Sequence, residues 1–399
     1  MKHLNHASHA NAAGRPNEGP DDTGFGLYVH WPFCEAKCPY CDFNSHVFRD
    51  VDHTRWANAY EVEIARFGEV TSDRELHSVF FGGGTPSLMR PETVDRILSA
   101  VRRTWACAPD MEVTLEANPS SAEASRFRNY VAAGVNRFSI GVQALNDSDL
   151  HRLGRLHTAR EAIRAIEIAR NAADRVSFDL IYARQDQSQE AWRSELTRAL
   201  SMEPDHLSLY QLTIEKGTAF GRRHEAGKLP GLPDPDLSAD LYEATAEMCD
   251  AAGLPAYEVS NHARPGSESR HNLIYWRCGD YLGVGPGAHG RVTLSGSRRA
   301  MRAIPSPAAW LDSVVSGQGR HESASIMSAD ENAAEYLMMG LRLAEGVTLS
   351  RYRALSGRDL SEERLERLLS ERLIWRTDER FGATFRRRML LNAVLCELL

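Results

Sequence analysis

The sequence predicts an α/β fold in which six β/α units form a partial barrel, followed by a smaller helical C-terminal domain. Short apolar runs alternate with longer amphipathic segments between Gly26 and Thr213. This alternation is typical of parallel strands that are joined by helices. Polar residues also recur where the apolar runs end, as expected of a barrel whose site lies at the carboxyl ends of its strands.

Six apolar runs are the predicted strands of the barrel. They are Leu27–Trp31, Leu76–Phe81, Glu112–Glu116, Arg137–Gln143, Val176–Tyr182 and His206–Thr213. Amphipathic segments separate them. One predicted helix carries the stripe Trp56, Tyr60, Ile64 and Phe67, and a second spans Pro91–Trp105, with its proline in the first turn.

The rest of the chain suggests three parts: a disordered tail over residues 1–22, a barrel with a Gly- and His-rich extension over 23–304, and a helical domain over 305–399. A seventh apolar run near Ala256–Val259 precedes the extension, where many glycines predict tight turns. The C-terminal domain begins with a loop-like region. Its helices and hairpin then follow an order that looks like a winged-helix unit. We expect helices near Ala329–Ala344 and Ser361–Arg372, a hairpin through Leu373–Phe385 and a last helix ending at Leu399.

The composition is that of an ordinary globular protein, with 399 residues, 42% hydrophobic and 25% charged, which is enough to bury a large core. A formal net charge of −7 argues against wholesale binding to nucleic acid. No apolar run approaches the roughly 20 residues that cross a bilayer, so we expect no transmembrane segment. The first residues contain no secretory signal, and we expect a cytoplasmic protein.

Three cysteines, Cys34, Cys38 and Cys41, are spaced C-x3-C-x2-C directly after the first strand. Three such thiolates can each bind one iron of a [4Fe–4S] cluster, which leaves the fourth iron without a protein ligand. A zinc site is an alternative, with His30 or His46 completing an unusual set of ligands. A disulfide would leave one thiol over and is the weakest interpretation.

The polar residues at the strand ends are expected to surround one mouth of the barrel. In chain order they are Cys34, Gly82–Thr85, Glu116, Gln143, Asp179 and Thr213. The glycine run would let the backbone approach a ligand closely and offer its N–H groups to a carboxylate.

The runs Tyr28–Cys34 and Cys41–His46, followed by Gly82–Pro86, resemble the HemN/HemW group of the radical S-adenosylmethionine (SAM) superfamily. The resemblance implies a [4Fe–4S] cluster, SAM, and an electron donor for the cluster. The coproporphyrinogen III dehydrogenases of the group carry a fourth cysteine two residues after the third. This chain has Phe43 there, which is similar to the heme chaperones of the group.

The resemblance therefore implies a protein that binds heme and passes it to apo-hemoproteins. One rival is oxygen-independent oxidation of coproporphyrinogen III in porphyrin biosynthesis, which uses the same cofactors. A second rival is a zinc- or nucleic-acid-binding regulator that acts through the C-terminal domain.

The resemblance also implies a role for individual residues. Tyr28, Gly83 and Glu116 match positions that contact the SAM on the cluster, Gly84 and Thr85 belong to the same run as Gly83, and Tyr40 adjoins the cluster. Gln143, Arg155 and Asp179 match positions around a second SAM. The alternatives are a surface charge for Arg155 and a buried, paired carboxylate for Asp179.

His271 lies in His271-Asn272-x-x-Tyr275-Trp276, which resembles the heme-associated motif of the chaperones. Imidazole is a common axial ligand of heme iron. The alternative is a hydrogen-bonded histidine beside core aromatic residues, and Cys278 and His289 are weaker candidates for the same ligand. The chain departs from the family's Gly-x-Pro-Gly-Gln loop, where it has residues 183–187, and from the turn near Thr384.

Overall fold

A computed structural model describes residues 23–48, 50–120, 124–317 and 321–399. The predicted tail, residues 1–22, lies outside these ranges. The strands are β1 Phe25–Trp31, β2 Phe33–Cys34, β3 His46–Val47, β4 Glu75–Gly83, β5 Ala106–Ala117, β6 Arg137–Gln143, β7 Arg175–Tyr182, β8 His206–Gln211, β9 Asn261–Ala263, β10 Asp280–Val284, β11 His289–Leu294, β12 Ser297–Ala303, β13 His321–Ile326, β14 Val347–Thr348, β15 Ile374–Arg376 and β16 Arg380–Ala383.

The helices in the described ranges complete the layers around the sheet. They are α1 His53–Thr71, α2 Pro91–Thr104, α3 Phe127–Ala133, α4 Asp147–Arg152, α5 Ala159–Arg170, α6 Gln189–Leu200, α7 Ala219–Glu225, α8 Pro235–Ala251, α9 Arg270–Trp276, α10 Pro307–Val315, α11 Ala329–Gly340, α12 Leu349–Ser356, α13 Glu362–Ser370 and α14 Leu391–Leu398, with 3₁₀ turns at Pro86–Leu88 and Phe385–Leu390. Within the described residues no helix is both long and apolar enough to cross a membrane.

The six predicted strands are β1, β4, β5, β6, β7 and β8, and they are successive parallel neighbours in one sheet. The prediction of an α/β fold built on parallel β/α units is confirmed. Residues at matching heights, such as Leu27, Val79 and Val113, are fully or almost fully buried, because helices cover the outer face. The aligned carboxyl ends of these strands therefore meet at one edge.

The seventh apolar run, near Ala256–Val259, does not form a strand. Within that segment Ala256 makes only an isolated bridge to His262, and the strand is β9, which runs antiparallel to β8. The Gly-rich segment also contains α9 and β10, and β10 pairs in parallel with the free edge of β1. Gly283 explains the missed strand: a Cβ there would lie 2.1 Å from the His289 carbonyl oxygen, so only glycine lets β10 and β11 approach.

Residues 305–326 are not loop-like where they are described. In α10 the ring of Trp310 stacks on Trp56 of α1, with centroids 5.3 Å apart, and β13 pairs with β12. These contacts attach the segment to the barrel. We therefore propose that the boundary between the two units lies after residue 326 rather than at 305.

The C-terminal domain has its own buried core, which includes Leu337, Leu341, Phe381 and Val394. Helices α11 to α14 surround a three-stranded sheet in the order β14-β16-β15. The prediction of a helical C-terminal domain with a hairpin near its end is confirmed, with β15 and β16 as the hairpin.

Candidate functional site

A cavity opens where the parallel strands of the barrel end. Its lining combines the three clustered cysteines with polar residues from the ends of four neighbouring strands. The sequence-predicted residues that line it are Cys34, Cys38, Tyr40, Cys41, Gly83, Gly84, Thr85, Glu116, Gln143, Arg155 and Asp179. Tyr28, Thr213 and His271 do not line this cavity.

The cysteine thiols are free and each has a polar neighbour. The Thr85 hydroxyl donates to Cys34 Sγ at 3.4 Å, the Arg155 guanidinium donates to Cys38 Sγ at 3.4 Å, and the Ser45 hydroxyl lies 3.9 Å from Cys41 Sγ. Burial raises the pKa of the Cys34 and Cys41 thiols, and the hydroxyls of Thr85 and Ser45 act against that shift. Donors aimed at sulfur favour the thiolate, which is the form that binds metal.

Neither histidine beside the cysteines is presented as a fourth ligand. The ring nitrogens of His30 bind the Asn44 carbonyl oxygen at 2.9 Å and the Tyr28 hydroxyl at 3.0 Å. His46 Nε2 lies 3.1 Å from Asn44 Oδ1. Across the described residues, no three His, Cys, Asp or Glu side chains are arranged to hold a single metal ion.

The glycine run shapes the cavity wall, but its N–H groups are largely occupied. Gly84 N–H donates to the Trp31 carbonyl oxygen at 2.6 Å, and Thr85 N–H donates to that of Phe33 at 2.8 Å. Gly83 N–H donates to the Glu116 carboxyl. The expectation that these groups are available to a ligand carboxylate is therefore wrong for this conformation. A Cβ on Gly84 would lie 2.6 Å from the Phe33 carbonyl oxygen, so this glycine allows close contact between two loops.

Arg155 is a cavity residue, not a surface charge. Its guanidinium donates to Asn118 Oδ1 at 2.6 Å and to the Gly141 carbonyl oxygen at 2.9 Å, besides its contact with Cys38. Its Nε is buried and has no partner in the described structure. A buried donor without a partner is costly, and a bound ligand is one way to satisfy it.

Two carboxyl groups face the same cavity. Burial, together with the nearby charge of Asp179, raises the pKa of Glu116 to about 8. Burial raises the pKa of Asp179 to about 6, against hydrogen bonds from Ser208 and Ser139. Neither carboxyl forms an ion pair in the described residues, but Asp179 does have hydrogen-bonded neighbours, and the Ser139 hydroxyl donates to its Oδ1 at 3.5 Å. Perturbed carboxyls in a cleft are typical of functional sites.

Gln143 lies in a strained backbone conformation at the end of β6. Its φ is +71°, and the pairing register with β7 shifts between Ile140 and Gln143. Such conformations cluster at binding sites, where the surrounding structure holds them in place. The Tyr40 hydroxyl contacts Cys38 and Arg155, and burial raises the pKa of this tyrosine.

His271 and Tyr28 form a separate cluster inside the barrel, which we call the His271 pocket: Tyr28, Ser78, Phe80, His271 and Tyr275. His271 Nδ1 lies 2.7 Å from the Ser78 hydroxyl, and Nε2 lies 2.6 Å from the Tyr275 hydroxyl. Its ring stacks on Phe80, with centroids 5.0 Å apart, and only 1% of the residue is exposed. Burial lowers the pKa of His271 to about 3. Neither ring nitrogen is free to bind heme iron in this conformation.

Comparisons with known proteins match these features. Residues 28–193 match the family model of the radical SAM superfamily, and residues 327–390 match that of the HemN C-terminal domain. The heme chaperone HemW of Escherichia coli is 38% identical over 92% of this chain and 96% of its own length. The chain belongs to the HemN/HemW group of the radical SAM superfamily.

Two further known proteins are similar to this chain. The mitochondrial radical S-adenosyl methionine domain-containing protein 1 of Bos taurus is 42% identical over 85% of this chain and 77% of its own length. The solved structure of coproporphyrinogen III oxidase (HemN) from Escherichia coli covers 95% of this chain and 91% of that chain with a TM-score of 0.79. At 21% identity, this last match shows the shared fold alone.

Membership in the radical SAM superfamily implies a [4Fe–4S] cluster and SAM as cofactors. The cavity fits both groups. Three thiols that form no disulfide, the unpartnered Nε of Arg155 and the carboxyls of Glu116 and Asp179 all line it.

The atypical loop of this radical SAM protein has a left-handed backbone at two positions. Ala183 and Asp186, which stand where the family has glycine, have φ values of +57° and +56°. The Asp186 N–H donates to the Gly231 carbonyl oxygen at 2.7 Å, and the Arg184 guanidinium pairs with Asp149 at 2.8 Å and Glu195 at 2.5 Å. These contacts hold a left-handed conformation that costs of order 1 kcal/mol per non-glycine residue.

Several lining residues of the cavity were not predicted from the sequence, among them Asn118 and Ser139. Asn118 accepts from Arg155 and donates to the Thr85 hydroxyl at 3.3 Å, so it connects two strand ends. Ser139 precedes Gly141 and Gln143 at intervals of two, so the alternation of a strand places all three on the inner face. That periodicity was the available signal.

Proposed function

We propose that this protein is a heme chaperone of the HemW type, which binds a [4Fe–4S] cluster and SAM and transfers heme to apo-hemoproteins. The observation that carries the proposal is a cavity lined by three clustered cysteines, with Phe43 at the position where the resemblance places the fourth cysteine of the dehydrogenases. The identity to proteins named heme chaperone HemW, 38% for that of Escherichia coli and 36% for that of Mycobacterium tuberculosis, supports it.

In this proposal Cys34, Cys38 and Cys41 hold the cluster and leave one iron open to SAM. When bound, the cluster supplies the electron for reductive cleavage of SAM. A structural zinc site needs a fourth ligand, and Nε2 of both nearby histidines, His30 and His46, lies within hydrogen-bond distance of Asn44, which favours the cluster over zinc.

The remaining cavity residues then bind and orient SAM. The Arg155 guanidinium, with its unpartnered Nε, would donate to the SAM carboxylate or ribose. Glu116 would accept from the SAM amino group, and the positive charge of SAM would lower the raised pKa of this carboxyl again. The buried hydroxyl of Thr85 keeps Cys34 oriented through its hydrogen bond.

The names of the relatives support heme binding, but the His271 pocket does not support His271 as the heme ligand. Heme binding through His271 would require its contacts with Ser78 or Tyr275 to break and its ring to leave a fully buried position. We therefore do not place the heme iron at His271 in this conformation.

An anaerobic comparison of heme binding with coproporphyrinogen III turnover tests the proposal. We expect reconstituted protein to bind heme, to transfer it to an apo-hemoprotein such as apomyoglobin, and to form no protoporphyrinogen from coproporphyrinogen III and SAM. Steady protoporphyrinogen formation would show that the protein is instead a coproporphyrinogen III oxidase.

A further inference from the structure

A second concave surface lies between the cysteine loop and the segment that contains the start of α7. This groove has a volume of about 1030 Å³, and Cys38 and Cys41 line it as well as the cavity. Its lining carries one carboxylate, Asp42, and five cationic side chains, namely Lys37, Arg152, Lys216, Arg222 and Arg223. We call it the basic groove.

The basic groove is held in place against the cysteine loop. The Phe220 N–H at the start of α7 donates to the Pro39 carbonyl oxygen at 2.8 Å, and the Thr218 side chain caps the same helix. Gly154, with a φ of +68°, lets α4 approach Pro39 so closely that a Cβ would lie 2.7 Å from its ring. Arg222 and Arg223 on α7 are therefore fixed relative to Cys38.

The charge of the groove is largely uncompensated. Arg152 pairs with Asp186 at 3.2 Å, but within the described ranges Lys216, Arg222 and Arg223 form no ion pair with a carboxylate. All three are exposed. The whole chain carries a formal charge of −7, so this concentration of cations is a local reversal of sign. Such a cleft attracts anionic partners and raises their association rates about 10- to 1000-fold.

We propose that the basic groove is the docking site of a small acidic one-electron carrier protein that reduces the cluster. The proposal rests on the cluster of the proposed function. Two of the three proposed cluster ligands line the groove, so a carrier seated there would have its redox centre close to the cluster. One electron then leaves the reduced carrier and enters the cluster, and no atom or proton has to move with it.

Heme is the other anionic occupant to consider, because its propionates would also pair with arginine and lysine. Most residues that line the groove have charged or polar side chains, and none of them is a phenylalanine, tyrosine or tryptophan. A porphyrin needs extended apolar walls on its faces. The composition of the lining therefore favours a protein surface with exposed carboxylates.

The test compares Arg222→Glu/Arg223→Glu with a control of equal charge change, Arg103→Glu/Arg164→Glu, on exposed positions of α2 and α5 outside the groove. The probe is an acidic flavodoxin. We expect the groove variant to bind it at least about tenfold more weakly than the wild type and the control do, and added salt to weaken wild-type binding. Calorimetry measures this affinity even where a variant carries no cluster.

A second readout follows reduction of the cluster. We expect reduction by flavodoxin to slow about tenfold in the groove variant, while reduction by photoreduced deazaflavin stays unchanged. The single variant Lys216→Glu gives a smaller effect in the same direction and serves if the double variant does not fold.

Equal flavodoxin affinity in the groove variant and the control would overturn the proposal. Loss of heme binding in the groove variant, with flavodoxin affinity unchanged, would assign the groove to heme carboxylates instead. Heme transfer by the wild type tests the proposed function separately, so either proposal can fail while the other holds.

Discussion

The cavity that the cysteines line and the His271 pocket both contain residues of family motifs. They differ in whether their polar groups already have hydrogen-bond partners within the protein. In the cavity, Arg155 Nε has no partner, Gln143 is strained, and the pKa of Glu116 is raised. In the His271 pocket, both imidazole nitrogens have partners within 2.7 Å. The difference separates a site prepared for ligands from one that stabilises the fold.

The physical reason is that a ligand can bind only to polar groups that are not already bonded to other groups of the protein. A buried donor without a partner and a carboxyl whose pKa is raised both cost stability, and proteins keep such groups mainly where a ligand compensates for that cost. A histidine that is fully hydrogen-bonded and stacked is already at its free-energy minimum. A motif resemblance alone does not distinguish these two states, whereas the hydrogen-bond pattern does.

The largest expected effect is on the cluster. Cys38→Ser removes one of three thiolate ligands, so we expect the broad visible absorbance of the anaerobically reconstituted protein to disappear. The matched control is Cys396→Ser, because Cys396 is exposed on α14 in the other domain. An intact cluster in the Cys38 variant would show that the cavity is not its site.

His271→Ala tests the other half of the comparison. We expect the free energy of unfolding to fall by about 2–4 kcal/mol, because a buried ring is lost and the hydroxyls of Ser78 and Tyr275 lose their partner. We also expect an unchanged heme spectrum at temperatures where the variant is folded. His224→Ala, at an exposed position, should change neither property. A changed heme spectrum in the His271 variant alone would restore the ligand role.

Glu116→Gln tests whether the cavity carboxyl opposes folding. The folded protein keeps the Glu116 proton up to about pH 8, while the unfolded chain releases it near the ordinary value of 4.5. The Glu116 contribution to stability is therefore complete below pH 4.5 and is lost as the pH rises to about 8. Between about pH 6 and about pH 8.5, we expect the wild type without SAM to lose roughly 2 kcal/mol more than the variant.

The measurement is urea unfolding at both pH values, with Glu69→Gln at an exposed position of α1 as the control. SAM affinity should fall in Glu116→Gln and stay constant in the control. Parallel pH dependence of the wild type and the Glu116 variant would show that this carboxyl is ionised in the fold.

The smallest expected effect concerns the atypical loop beside the cavity. Ala183→Gly should stabilise the protein by about 0.5–1 kcal/mol, because glycine adopts the left-handed conformation of Ala183 without strain. Ala165→Gly, inside α5, should destabilise it by about 1 kcal/mol. Chemical denaturation of both variants measures the difference, and a loss of stability in Ala183→Gly would argue against strain at this position.

The strands of the barrel and the position of the cysteine loop could be predicted, because both follow from residues that are close together in the sequence. The alternation of apolar runs was sufficient for the six parallel strands, and strand direction then placed Glu116 and Asp179 at one edge. The spacing of the cysteines brought them to one loop. These features need no knowledge of distant contacts.

The remaining features depend on contacts between distant parts of the chain. The partner of His271 Nδ1 is Ser78, 193 residues away, so the sequence could not show that the imidazole is already bonded. Strand β10 is defined by its pairing with β1. Because glycine is rare in strands, the local sequence of β10 does not predict a strand. Helix α10 is likewise ordered by Trp310 stacking on Trp56.

The central claim is that the cavity holds a cluster with one iron left for SAM. Electron paramagnetic resonance of the dithionite-reduced, reconstituted protein tests it most directly, with and without SAM. We predict the signal of a reduced [4Fe–4S] cluster that changes shape when SAM is added, because SAM binds the open iron. A signal that SAM leaves unaltered, or protein that contains zinc and no sulfide, would contradict the account.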